Sequence, residues 1–139
     1  MQPVPEHFYI QSAVIPFRQR DGELEILLIT SRKKKRWVIP KGVKEPELAL
    51  QASAVKEAME EAGVEGRVFA RSVGSYRYRK WGGVCTVEVY VMAVEKTHPA
   101  WDEDYRDREW VSLTEAVRRI EEPELKRIVG SLPDFIRAQ

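Results

Sequence analysis

A chain of 139 residues, 43% hydrophobic and 32% charged, has ordinary globular usage and enough length to bury a core, which excludes a disordered or fibrous protein. A formal charge of +1, from 23 basic and 22 acidic residues, gives no bulk attraction to nucleic acid or to an anionic membrane. A single cysteine, Cys85, rules out a disulfide framework within the chain, no apolar run has the length of a membrane span, and MQPVPEHFYI lacks the charged and apolar regions of a leader. The expectation is a cytoplasmic protein with one domain over residues 1–139 and no membrane partner, for which nucleic acid is not the expected ligand.

In chain order, FYIQSAVIPFR and ELEILLIT read as strands joined by the tight-turn pair Asp21-Gly22. The basic run Arg32 to Arg36 leads to a short strand at Trp37 to Ile39. Pro40 and Gly42 then predict an abrupt stop, because proline cannot donate to a central ladder and glycine adopts angles that other residues avoid. From about Glu47 to Ala62, Leu48, Ala52, Val55, Met59 and Ala62 recur at helical spacing, with Pro46 suited to the entry and Gly63 to the exit. RVFARSVGSYRYR and VCTVEVYVMAV predict two further strands, and EWVSL a short one. Ser112 and Glu115 have capping-box spacing for a helix from Leu113 to about Glu121. Pro123 interrupts it, Glu124 to Val129 forms another helical stretch, and Gly130 and Pro133 mark the expected end of compact structure. No linker divides the chain, so the expected class is α/β, with a mixed sheet between helices.

Charge is concentrated locally. Residues 30–41 carry Arg32, Lys33, Lys34, Lys35, Arg36 and Lys41 without an acid, and residues 67–81 carry Arg67, Arg71, Arg77, Arg79 and Lys80 without an acid. On the first long helix, Glu57, Glu60 and Glu61 fall within one arc at about 100° per residue, and the apolar set is predicted to pack on the opposite side. Like charges so spaced weaken an isolated helix by about 0.2–0.5 kcal/mol per pair. A hard divalent cation bound through carboxylate oxygens and substrate phosphate would compensate.

Taken alone, glutamates on a helix are usually a solvated surface. The stretch from Gly42 to Val64, GVKEPELALQASAVKEAMEEAGV, however, resembles the Nudix box: glycine, five residues, glutamate, seven residues, then Arg-Glu-aliphatic-x-Glu-Glu-x-Gly-aliphatic. Gly42, Glu57, Glu60, Glu61, Gly63 and Val64 match in register. The resemblance implies a Nudix-type α/β/α sandwich and a metal-dependent hydrolase of phosphoric anhydride bonds. It implies Mg²⁺, with Mn²⁺ as substitute, held by Glu57, Glu61, Glu60 and the main chain at Gly42. It leaves the general base open between Glu60 and a later-loop carboxylate, Glu103 or Asp104. Leu48 stands where the box has glutamate and Lys56 where it has arginine, two positions that form a supporting ion pair in the family, so a replaced support is expected. Ala58 at an aliphatic position is a mild departure.

Similarity to the diphosphoinositol polyphosphate phosphohydrolase branch extends through SRKKKRWVIPKG, the Arg79-Lys80 pair and RDREW. This implies phosphate contacts from Ser31, Arg32, Lys41, Arg79, Lys80 and Arg106, although Lys41 and Trp81 depart from the branch's glycine and histidine. The expected ligand is a small phosphate-rich molecule, either a diphosphoinositol polyphosphate or a dinucleoside polyphosphate, with Tyr76, Tyr78 or Trp81 as a possible adenine platform. A catalytically silent ligand-sensing or RNA-binding module is the alternative. His7, His98, Trp101 and Trp110 are read as surface or packing residues.

Overall fold

Strand β1 (Ile10–Arg20) is buried at seven consecutive positions, Gln11 to Phe17, so it must be covered on both faces. The computed structural model, which describes residues 4–139, supplies that cover. β1 runs parallel to β7 (Gly83–Thr97) and antiparallel to β2 (Glu23–Thr30) and β4 (Lys41–Val43), at the centre of an eight-stranded mixed sheet. β3 (Trp37–Val38) and β8 (Arg108–Ser112) pair with β2, while β5 (Val64–Val68) and β6 (Gly74–Lys80) pair with β7. Asp21 and Gly22 both have positive φ, as the predicted β1–β2 hairpin turn requires.

Because strand side chains alternate between faces, β1 and β2 feed two cores. Ala13, Ile15, Ile26 and Leu28 pack with Ile120, Leu125, Ile128 and Leu132, from the segment of α2 (Leu113–Arg119), α3 (Pro123–Gly130) and α4 (Leu132–Arg137). Val14, Leu27, Ile29 and Met92 pack on the other face with Ala54, Ala58 and Ala62 of the helical segment that begins with α1 (Leu50–Glu57). Helices therefore cover both faces, giving the expected α/β/α sandwich. Among the described residues, no helix is long and apolar enough to cross a membrane.

Four sequence expectations are corrected. The chain does not stop after Ile39 but changes neighbours: β3 pairs with β2, Pro40 offers its carbonyl to Val14 N at 3.1 Å, and β4 pairs with β1. RVFARSVGSYRYR is two strands, because it advances six residues from Val68 to Gly74 while its partner advances three from Val89 to Met92. Ala70 to Ser72 loop out to absorb the excess. Compact structure does not end near Gly130, since α4 follows and buries Leu132 fully. Finally, α1 starts at Leu50 and its buried side is Ser53, Ala54, Ala58 and Ala62, whereas Ala52 and Val55 are exposed. Small residues let the helix lie close against the sheet, and this places Glu57 and Glu61 toward the packed side, not opposite it.

Candidate active site

The strand switch at Pro40 carries Lys41 and Gly42 beneath the end of α1. Lys41 N–H donates to Glu61 Oε1 at 3.1 Å. Gly42 gives room here, not unusual angles, because a Cβ there would displace the Glu57 carboxylate. This close approach is the physical content of the first glycine in the box.

After Glu57 the helix widens into a π-turn, Ala58–Ala62, and ends on Gly63 in the left-handed region at φ 66°. π-turns inserted in α-helices are frequent at functional sites. Here the two-part helix brings the Glu57 and Glu61 carboxyls together, each close enough to influence the other's charge. Burial, then the charges of Glu61 and Glu60, push the Glu57 carboxyl up to about 8. Burial also raises Glu61, opposed by the Lys41 N–H and by Arg106. The pair therefore retains a proton that an exposed carboxylate would lose.

Glu60 is placed differently. Its Oε1 lies 3.7 Å from Lys56 Nζ, and Lys56 also pairs with Glu45. Glu45, three positions before Leu48, thus supplies the carboxylate that the box lacks at Leu48, and the expected replacement of the supporting pair is found. Of the three box glutamates, the fold brings two together at Gly42 and turns the third toward Lys56.

The loop before β8 closes the site. Glu103 Oε1 accepts from Arg106 Nε at 3.1 Å, Arg106 Nη2 at 2.8 Å and Tyr105 OH at 3.1 Å. Arg106 is buried, donates from Nη1 to Thr30 O at 2.9 Å, and has Nη2 3.6 Å from Glu61 Oε2. Glu103 is near enough that its charge raises both Glu57 and Glu61, whereas Asp104 stays exposed. Of the two later-loop carboxylates, Glu103 is the one beside the pair.

A cleft of about 490 Å³ opens from Glu61. Ser31, Arg32, Lys41, Lys80 and Arg106 line it, as expected from sequence, and Arg36 joins them. Ser31 also orders its own loop, its Oγ accepting from Lys35 N at 3.2 Å and Arg36 N at 3.3 Å. Arg79 is not brought to the cleft: along β6, Tyr76, Tyr78 and Lys80 line it, and Arg77 and Arg79 alternate to the other side. Arg108, two residues after Arg106, does not line the cleft and donates to Ala62 O and His98 O. In the second cationic block, Arg67 and Arg71 stack over Phe69 and Phe135. Trp81 packs with Phe8 and Tyr9 at the β6–β7 turn, so the aromatic residues in the cleft are Tyr76, Tyr78 and Trp37.

Lys41 is held by a polar chain running from the cleft into the sheet. Its Nζ donates to Tyr78 OH at 3.1 Å, and Tyr78 OH donates to Gln11 Oε1 at 2.7 Å. Burial, with Lys80 and Arg36 nearby, lowers the Lys41 ammonium to about 8. An anion in the cleft would favour its charged form. Replacing Tyr78 with Phe removes one hydrogen-bond link, worth about 1 kcal/mol. The expected result for Tyr78→Phe is an affinity for inorganic pyrophosphate lowered about fivefold, measured by calorimetry.

Sequence reasoning missed the cleft's far wall. Ile120, Glu121, Glu122, Pro123 and Leu125 reach it from the α2–α3 connection, where Ile120 bridges Trp37. Nothing local in IEEPEL signals this, because the contact is made by the fold.

Among the described residues, no three acidic, histidine or cysteine side chains converge on one point. Two half-buried carboxyl groups beside a main-chain turn fit a hard cation that takes one or two carboxylates and completes its shell with water and phosphate. Glu57, Glu61 and the main chain at Gly42 are the residues that would hold it.

The chain is similar to known proteins over most of its length. A family model described as NUDIX domain matches residues 9–132. "Nudix hydrolase 21, chloroplastic" of Arabidopsis thaliana is 34% identical over 110 residues, which are 74% of this chain and 55% of that protein. The human "Diphosphoinositol polyphosphate phosphohydrolase 3-alpha" is 32% identical over 117 residues, 82% of this chain and 70% of that protein. This chain therefore spans little more than half of the plant relative. Among solved structures, an Ap4A hydrolase of C. elegans in a binary complex superposes with a TM-score of 0.76 at 18% identity, covering 94% of this chain and 98% of that one. The NUDIX domain of Shewanella oneidensis NrtR, complexed with ADP ribose, superposes with a TM-score of 0.66 at 13% identity, covering 91% and 87%. At those identities the superpositions establish the fold alone.

Proposed function

Because this chain belongs to the Nudix hydrolase family, we propose that it is a divalent-cation-dependent pyrophosphohydrolase, using Mg²⁺ or Mn²⁺, whose substrate is a polyphosphate carrying an organic group. Fold alone does not fix an activity. The observation that carries this reading is the carboxyl pair Glu57–Glu61, pressed on Gly42 at the mouth of a cleft lined by Arg32, Arg36, Lys41, Lys80 and Arg106.

When bound, a divalent cation neutralises phosphate charge, polarises phosphoryl oxygens and lowers the pKa of water. The chain's own residues do the rest. Lys41 and Lys80 orient the phosphates, with Arg32 and Arg36 meeting the more distal ones through charge-assisted bonds. Arg106 holds Glu103 and Glu61 in fixed relation. We assign Glu103 to orient the attacking water and accept its proton, with Oε1 held by Arg106 and Tyr105. Glu60, paired with Lys56, tunes the charge beside Glu57.

The lining supports a dinucleoside polyphosphate over a diphosphoinositol polyphosphate. A ligand anionic on every side needs cations all round, but the far wall offers Trp37, Ile39, Ile120, Leu125 and the carboxylates Glu121 and Glu122. An aromatic and apolar chamber with hydrogen-bond acceptors suits a base bearing an amino group.

The test is a panel of diadenosine polyphosphates and diphosphoinositol polyphosphates with Mg²⁺, with the released phosphates identified. The expected result is kcat/KM at least about tenfold higher for the diadenosine compounds, about 1.4 kcal/mol of discrimination. The reverse order would assign the inositol class. Release from neither, with ligand or RNA binding that survives Glu57→Gln and Glu60→Gln, would identify a binding module instead.

A further inference from the structure

A helix leaves its last carbonyls without intrahelical partners, and here the end of the glutamate helix is completed by a distant segment. Glu60 O accepts from Glu103 N at 3.0 Å, Glu61 O from Trp101 Nε1 at 3.0 Å, Ala62 O from Arg108 Nη1 at 2.7 Å, and Gly63 O from His98 N at 2.8 Å. Four successive carbonyls thus receive four donors from residues 98–108. The contact is tight. The Arg108 guanidinium stacks 3.8 Å above the centre of the Trp101 ring, and a Cβ on Gly63 would lie 2.8 Å from Trp101. Arg108 Nη2 donates to His98 O at 2.5 Å, tying the segment to itself.

Three of these bonds fall on the π-turn, whose geometry is not set by the regular α-helical ladder, and the fourth on the glycine that ends it. The turn decides where Glu61 stands relative to Glu57 one turn earlier. We propose that Trp101 and Arg108 are positioning residues for the Glu57–Glu61 pair: they fix the backbone of the π-turn and so preset the spacing of the two carboxylates. The same segment carries Arg106 and Glu103, so the clamp couples the carboxyl pair to the loop that faces it. This inference rests on the pair's being the cation site proposed above.

Removing a group that orients a metal ligand costs about 10- to 100-fold in metal affinity or activity. Trp101→Phe keeps an aromatic ring for Arg108 to stack on and removes the N–H that meets Glu61 O. Its Mn²⁺ affinity, measured by calorimetry without substrate, should fall about tenfold, with kcat reduced at limiting metal and partly restored at saturating metal. Arg108→Lys should behave alike, because an ammonium cannot meet Ala62 O and His98 O together while stacking on Trp101. Trp110→Phe, which alters a tryptophan stacked by Arg18 on β8, controls for loss of an indole elsewhere and should leave the isotherm unchanged.

Metal-free melting temperatures separate folding from positioning. Mn²⁺ affinity in Trp101→Phe and Arg108→Lys within twofold of the parent would overturn the proposal, as would losses matched by Trp110→Phe. A parent protein that binds no Mn²⁺ would instead sink the metal-site reading itself.

Discussion

Glu57→Gln should abolish turnover while leaving the metal-free fold as stable as before, or more so above neutral pH. The activity loss is expected on the order of a thousandfold in kcat/KM, since loss of a cation's stabilisation of developing charge is worth several kcal/mol and each 1.4 kcal/mol or so is tenfold in rate. The stability expectation follows from the same carboxyl's position. Glu57 is half-buried against Gly42 and faces Glu61, Glu60 and Glu103, all of which disfavour its charge. A neutral amide of the same shape removes that repulsion. Initial rates at saturating Mg²⁺ together with thermal melts in chelator at pH 8 check both halves. A variant that loses activity only in proportion to lost stability would show that Glu57 is structural and not a ligand. Near pH 5, where the parent's Glu57 is itself protonated, the stability advantage should vanish.

Local rules read an element well where a short stretch of sequence decides it. β2 was legible from its aliphatic run and the Asp21-Gly22 turn, and α2 from Ser112, whose Oγ accepts from Glu115 N at 3.1 Å. The helix face was misread because Leu48, Ala52, Val55 and Met59 match helical period by hydrophobicity, whereas the sheet selects by size. Alanines at 54, 58 and 62 permit an approach that leucines would block, and the glutamates beside them are drawn inward. Hydropathy patterning has no access to that choice. The box pattern corrected it in effect, since Gly42 and the glutamates are tied by spacing to a geometry in which glycine and carboxylate touch.

The cleft was half legible. Its cationic wall is written in RKKKR and Lys41, but which members face inward depends on a loop ordered by the Ser31 hydroxyl and on the alternation of β6, which sends Lys80 in and Arg79 out. Its apolar wall comes from the α2–α3 connection, some eighty residues after Trp37 in sequence, and is joined to Trp37 by the parallel bridge to Ile120 and by Arg119 stacking over the indole. The role of Trp101 and Arg108 at the helix end has no local signal, although Arg108 falls within RDREW, because one indole N–H and one guanidinium meeting helix carbonyls leave no periodicity behind.

The metal-free protein should lose stability as pH rises from 5 to about 8.5, and added Mg²⁺ should restore more of it at the alkaline end. Glu57 has its folded pKa raised to about 8 from an ordinary 4.5, first by burial and then by Glu61 and Glu60, and Glu61 is raised too. A raised carboxyl binds a proton more tightly in the folded state than in the unfolded one. Its contribution to stability is thus complete below the unfolded value of 4.5 and is lost as pH climbs through the folded value near 8. Glu115 works in the opposite sense, its carboxyl held near 2 by Arg118 and Arg119, but it is fully charged throughout this window and contributes no slope there. Cation binding displaces the retained proton, so apparent Mg²⁺ affinity should rise by up to about tenfold per pH unit below pH 8 and level off above it. Melts with and without Mg²⁺ at half-unit steps, with proton release measured by calorimetry in two buffers, read both effects. A metal-free melting temperature flat or rising between pH 6 and 8.5, with no proton released on binding, would mean that the Glu57–Glu61 pair is already fully ionised and that the buried carboxyl pair is not where the cation goes.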